Sequence, residues 1–318
     1  MFEHILVPLD GSSLAESSLP HALAIAGECG AQVTLMHVLD QASPQALVDP
    51  GDWYFRKVEG QAYLQGISSR LYDLGWQCST VLDEGQAADC IIRYAHDNQI
   101  NLIAMSSHGQ SGLSGWNISS VVQKVLLRAA TSVLIVPAYR SFQADRTGLY
   151  YQRVFAPLDC SRRAEVVLPL AAKLAGRQGV TLKLVHMVAR PGMPSHLPLS
   201  KTENELIEQV VGRNQREAKR YLGDIRSRLE GEDLAVETCV QVSENPTEAL
   251  HILVEQEVAD LVVLSAHGSS GCPRWPYGSV TLSFIAYGTV PLLILQDMAP
   301  ERIRPSLAEL AAKEQPVH

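Results

Sequence analysis

The chain has 318 residues, more than one hydrophobic core usually organises, so two domains of roughly 150 residues are expected. Hydrophobic residues make up 46% and charged residues 19%, a balance that excludes a disordered chain. The formal net charge of -8 argues against nucleic-acid and anionic-membrane partners, because both need a basic footprint.

The opening stretch MFEHILVPLDGSS lacks the basic start, apolar centre and cleavage site of a signal peptide. No apolar run approaches the roughly 20 residues that span a bilayer, so a cytoplasmic protein is expected. Residues 5–7 form a first apolar run of strand length. Ser12 is placed to cap a helix whose apolar positions Leu14, Leu19, Leu23 and Ala26 lead to a stop at Gly30. Pro20 lies inside that pattern and predicts a kink. Further runs at 33–38, 80–82, 102–105 and 133–136 read as strands, and 54–74, 87–97 and 119–129 as helices. Strands alternating with helices imply right-handed β-α-β units and a parallel sheet of about five strands, covered on both faces. In such sheets ligands bind beyond the carboxyl ends of the strands, where strand order reverses.

The second half repeats the first. Pro8-Leu9-Asp10 returns as Pro157-Leu158-Asp159, an offset of 159 − 10 = 149. Pro20 returns as Pro169, and His37 as His186. Beyond the second helix the offset is 268 − 109 = 159, relating His108-Gly109 to His267-Gly268 and Trp116 to Trp275. The second copy therefore carries ten extra residues between its second and third strands. It also holds a long charged helix at 203–229, with Val210, Tyr221, Leu222 and Ile225 as apolar positions and Glu208, Arg213, Arg216 and Glu217 on a solvated face. The expected division is a first domain at 1–142, a linker at 143–151, a second domain at 152–297 and a tail at 298–318 with a short helix or no structure around 307–312.

Asp10 and Asp159 end the first strand of each copy. A carboxylate there accepts hydrogen bonds either from a ribose or adenine or from its own turn. The stretches SSHGQSGLSGWNISSVV (106–122) and SAHGSSGCPRWPYGSVT (265–281) couple a strand end to a helix start. Their glycines let backbone N–H groups approach a phosphate, and the helix N-terminus that follows favours the negative charge. His37, His186, His108 and His267 read as structural rather than catalytic, and Trp116 and Trp275 as packing the loop. The cysteines (Cys29, Cys78, Cys90, Cys160, Cys239, Cys272) show no C-x-x-C pair and no zinc spacing, and read as reduced and mostly buried. No Walker lysine loop, G-x-G-x-x-G, kinase signature or G-x-S-x-G elbow is present.

These loops resemble the nucleotide-binding branch of the universal stress protein family, whose pattern is G-x-x-G, nine residues, then G-[ST]. The second copy reads Ser265-x-x-Gly268, nine residues, Gly278-Ser279, so only the first glycine departs. The first copy reads Ser106-x-x-Gly109, nine residues, Ser119-Ser120, so two of three glycines are replaced. The resemblance covers nearly the whole chain and identifies it as a tandem member. It implies two five-stranded, doubly wound α/β domains of the adenine nucleotide alpha hydrolase-like (HUP) type, packed through their last strands as an intramolecular pseudo-dimer. It allows a homodimer of tandem chains and an unknown protein partner. It also implies ATP or AMP as ligand, Mg²⁺ with the triphosphate, and a stress-response regulator without efficient catalysis. The alternatives are a slow ATPase and an interaction protein that binds no nucleotide. Carried over position by position, Asp10 and Asp159 contact adenosine, and Val38 and Met187 line the adenine. Gly109, Ser119 and Ser120 in one copy, and Ser265, Gly268, Gly278, Ser279 and Val280 in the other, face ribose and phosphates. The Gly278-Ser279 pair makes the second copy the tighter expected phosphate site. Serine at 106 and 265 is strained if the backbone needs a positive φ there; otherwise it costs only clearance.

Overall fold

The five apolar runs of the first half are strands in the computed structural model, which describes residues 1–40, 50–110, 112, 117–139, 151–176, 179–191, 200–229, 234–269 and 276–297. They are β1 (His4–Leu9), β2 (Gln32–Leu39), β3 (Cys78–Glu84), β4 (Leu102–Ser106) and β5 (Ser132–Val136). The second half gives β6 (Arg153–Pro157), β7 (Thr181–Ala189), β8 (Ala235–Ser243), β9 (Leu261–Ser265) and β10 (Leu292–Leu295). Every residue of β4 and β9 is buried, as a strand covered on both faces requires.

The helix expected after β1 is two helices. Ser12 caps α1 (Ser13–Glu16), its Oγ accepting from Ala15 N–H at 3.1 Å. A second helix, α2 (Leu19–Cys29), carries Pro20 in its first turn, where a missing N–H leaves no helical bond unmade. The proline therefore starts a helix instead of kinking one. In the second repeat a 3₁₀ turn (Ala164–Val167) precedes α6 (Leu168–Ala175), with Pro169 in the same role. Gly30 closes α2 at φ +68°, the left-handed conformation that favours glycine.

The remaining helices are α3 (Pro50–Asp73), α4 (Ala87–Asp97), α5 (Ser120–Arg128), α7 (Lys201–Leu229), α8 (Pro246–Gln256) and α9 (Ser279–Tyr287). In α7 the buried stripe is Ile207, Val211, Ala218, Leu222 and Ile225. Val210, expected among the apolar contacts, is 40% exposed, because it lies about 100° around the helix from Val211. No helix among the described residues is long and apolar enough to cross a membrane.

All ten strands form one sheet in the order β3-β2-β1-β4-β5-β10-β9-β6-β7-β8. Within each repeat the strands are parallel and the order reverses beside the first strand. The seam is the antiparallel pair β5 and β10, with Leu293 opposite Leu134 and Ile294 opposite Val133; these four side chains are 1% exposed or less. An antiparallel seam turns the carboxyl ends of the two half-sheets to opposite edges, so the two expected sites face away from each other. One face carries a core shared by α2, α3, α6 and α7, and the other is covered by α4, α5, α8 and α9.

Candidate functional site

In the first repeat the chain leaves β1 toward one face of the sheet and leaves β4 toward the other, which opens a crevice between their ends. A cavity of about 130 Å³ lies there. Asp10, Val38, Gly109, Ser119 and Ser120, all the residues singled out for this repeat, line it together. Its apolar wall adds Met36, two residues before Val38 on β2, with Ala87 and Ile91 of α4 and Met105 of β4. These wall residues carry no motif. Met36 shares a strand face with Val38 through the two-residue period of the pleat, and that period is the one sequence signal that marks it.

Asp10 is fixed before any ligand arrives. Its Oδ1 accepts from Ser12 N–H at 3.0 Å and from Ser12 Oγ at 2.6 Å, and its Oδ2 accepts from Gln110 N–H at 2.5 Å. The carboxylate thus braces the turn after β1 against the loop after β4. Asp159 repeats the arrangement, accepting from Ser161 N–H at 3.0 Å and Ser269 N–H at 2.5 Å. Burial opposes ionisation of Asp159, but the hydrogen bonds from Ser161 and Ser269 outweigh it and hold the carboxyl below its usual range.

The glycines beside these carboxylates have a clear reason. A Cβ on Gly109 would stand 1.9 Å from Asp10 Oδ2, and one on Gly268 2.1 Å from Asp159 Oδ2. Both positions stay bare so that the aspartate can close on the loop. Gly278 differs: its φ is −75°, and the nearest atom to an added Cβ is Ala266 O at 3.6 Å. The protein alone does not require glycine there. Ser119 holds nearly the same backbone, φ −73° and ψ 163°, and its Oγ accepts from Val122 N–H at 3.4 Å. Gly278 has no side chain with which to cap α9. Ser106 and Ser265 end buried strands and are not among the residues at positive φ, so serine there carries no strain. Ser265 Oγ donates to His267 O at 2.6 Å, and its carbonyl accepts from Thr281 Oγ1 at 2.9 Å, which ties β9 to α9. Ser279 opens α9, while Met187 and Val280 are half-buried against the core on the α8 and α9 face.

The repeats diverge at two further places and agree at a third. Gly11 sits at φ +88°, and its counterpart Cys160 adopts φ +65°, unusual for a residue with a Cβ. Cys160 is exposed and only Cys90 is fully buried among the described free cysteines, so the expectation of mostly buried thiols is corrected. His37 and His186 each donate from Nδ1 to the last carbonyl of β1 and its counterpart, Leu9 O and Leu158 O, at 2.7 Å, and so hold the strand ends. His108, 4% exposed, contacts Ser107 Oγ at 3.1 Å. In the second repeat Ala266 replaces that serine, and His267, 1% exposed, donates instead to Asp297 Oδ1 at 2.7 Å. Sequence reasoning missed Asp297, which lies 30 residues from its partner with no motif between them. Trp116, Trp275, Cys272, most of the linker and the tail from 298 lie outside the described residues.

The universal stress protein family profile matches this chain twice, over residues 1–137 and 150–296. Universal stress protein MJ0531 of Methanocaldococcus jannaschii is 30% identical over 140 residues, covering 43% of this chain and 82% of that protein. Universal stress protein Rv2005c of Mycobacterium tuberculosis is 24% identical over 203 residues, 62% of each chain. Among solved structures, the functionally unknown protein PA1789 of Pseudomonas aeruginosa superposes with a TM-score of 0.66 at 16% identity, covering 98% of both chains. A universal stress protein of Archaeoglobus fulgidus gives 0.61 at 17% identity, covering 92% of this chain and 96% of that one. At these identities the superpositions speak for the fold alone. With the same strand order, the same braced aspartate and the same family profile in both halves, the chain belongs to the universal stress protein family as two tandem copies of its domain.

Proposed function

We propose that the chain binds an adenine nucleotide, ATP or AMP, at the carboxyl ends of its strands and acts as a stress-response regulator without efficient catalysis. The observation that carries this reading is the first-repeat crevice, where an apolar cavity, a braced aspartate and the start of α5 form one continuous surface. A volume of about 130 Å³ lies below the roughly 300–1,000 Å³ of pockets that enclose whole ligands. It suits a base, with the ribose at Asp10 and the phosphates outside at Ser119 and Ser120. In the second repeat Gly278, Ser279 and Val280 start α9 with no side-chain cap, which leaves first-turn N–H groups for a phosphate. The second repeat is therefore the tighter site. Among the described residues no group of three or more His, Cys, Asp or Glu side chains could hold a metal ion. Mg²⁺ would accordingly be held chiefly by the phosphates of a bound triphosphate. The imidazoles nearest the loops, His108 and His267, are buried and engaged, which favours binding over turnover.

Isothermal titration with ATP and with AMP tests the reading. Saturable binding, weakened by Asp159→Ala and by Gly278→Ala, is the expected result. Absence of any bound or bindable adenine nucleotide at millimolar concentration would reject it and leave the interaction-protein reading. ATP turnover abolished by either substitution would establish the slow ATPase instead.

A further inference from the structure

The two repeats meet along β5 and β10, and the pseudo-twofold there produces two equivalent corners that the sequence fills differently. In one corner Tyr151 and His21 meet: the hydroxyl is hydrogen-bonded to Nδ1 at 3.0 Å, the rings lie 5.7 Å apart, and the residues are 4% and 0% exposed. By the 149-residue offset their counterparts in the other corner are Phe2 and Leu170, which cannot form that bond. There the structure holds a cavity of about 460 Å³, inside the range typical of small-molecule sites.

Phe2, Val166, Leu170 and Leu295 give this cavity an apolar wall. Asn101, Thr131, Ser132 and Gln296 add polar groups, with Ser132 Oγ accepting from Gln296 N–H at 3.1 Å. The Asn101 carbonyl already accepts from Glu3 N–H at 2.8 Å and His4 N–H at 2.9 Å. With Oδ1 occupied, its side-chain NH₂ supplies donors, as do the hydroxyls of Thr131 and Ser132. No acidic or basic side chain lines the space; Met1, which carries the chain's α-amino group, stands at its edge and is 65% exposed. Burying a charge among these side chains would cost desolvation without a charged side chain to offset it.

We infer that this seam cavity is a second ligand site, distinct from the strand-end crevices, for an uncharged and mostly apolar molecule with a hydrogen-bond acceptor at one end. The inference does not rest on nucleotide binding, since it uses none of the crevice residues.

Prodan, a neutral naphthalene carrying a ketone at one end, matches this description and brightens and shifts blue when it leaves water. The experiment titrates it into the full chain, into Val166→Trp, which projects into the mouth from a residue 41% exposed, and into Ala130→Leu, which narrows the opposite wall. Melting curves confirm that each variant is folded. The expected result is one saturable site per chain, weakened at least tenfold in a folded seam variant. Binding should persist in Val38→Trp, which fills the first crevice, and in saturating ATP. Absence of a saturable blue shift, its persistence in both seam variants, or its loss in Val38→Trp or on adding ATP would overturn the inference.

Discussion

Replacing Gly109 by alanine tests whether the signature glycine serves the aspartate beside it. The new Cβ would stand 1.9 Å from Asp10 Oδ2 and 2.9 Å from its Cγ, far inside contact distance, so the carboxylate must swing away. Swinging away breaks at least the 2.5 Å hydrogen bond from Gln110 N–H, and a bond to an ionised acceptor contributes about 1.5–3 kcal/mol. In an Asp10→Ala background the obstruction is absent, and the same glycine change should cost little. The four proteins of this double-mutant cycle, unfolded in urea at pH 7, should therefore show a coupling of about 1.5–3 kcal/mol. Gly268 and Asp159, where the corresponding approach is 2.1 Å, supply an independent repetition. Costs that add within about 0.5 kcal/mol in both cycles would refute the idea that these glycines exist to admit the carboxylates.

Gly278→Ala should leave stability unchanged or raise it by up to about 1 kcal/mol, since the nearest atom to the new Cβ is 3.6 Å away. It should still weaken ATP binding more than Ser119→Ala does; equal effects in calorimetry would overturn the ranking of the two repeats. Burial lowers the pKa of His21 from 6.5 to about 3, so the folded chain holds it neutral while the unfolded chain protonates near 6.5. Its contribution is fully present above pH 6.5 and is lost as the pH falls toward 3. His21→Leu, which installs the residue found at its counterpart Leu170, should flatten the fall in the urea midpoint between pH 7 and 4.5, and an unchanged slope would count against this assignment. Cys160→Gly removes a side chain from φ +65° and should raise stability by up to about 1 kcal/mol; a loss of stability in urea would show that the contact of Cys160 Sγ with His186 Nδ1 at 3.6 Å outweighs the backbone strain.

Much of the fold is legible because its signals are local. The five apolar runs, the Ser12 cap and the Gly30 stop depend on neighbours within a few residues, and each lies where the sequence places it. The tandem repeat is legible because the loop residues keep their spacing in both halves. Pro20 misleads because a proline inside an apolar period reads as a kink, while the choice between kink and new helix depends on whether the turn before it can end, as α1 does at Glu16. Val210 misleads because a one-residue shift rotates a long helix by about 100°. The candidate crevice is legible only in part. Gly109, Ser119 and Ser120 carry motif spacing, Asp10 recurs at the end of the first strand and Val38 follows from the family resemblance, whereas Met36, Ala87, Ile91 and Met105 reach the same cavity from three elements through tertiary packing. The clearance that Gly109 gives Asp10 spans 99 residues of sequence and follows only from β1 lying beside β4.

The central claim is that the strand-end crevices are adenine-nucleotide sites. A crystal structure of the chain grown with millimolar ATP and Mg²⁺ tests it most directly. The account predicts a base between Met36, Val38 and Met105 or at the equivalent place beside Met187, with phosphates at the first turn of α5 or α9. Crevices without nucleotide at that concentration, or nucleotide bound only elsewhere on the chain, would contradict it.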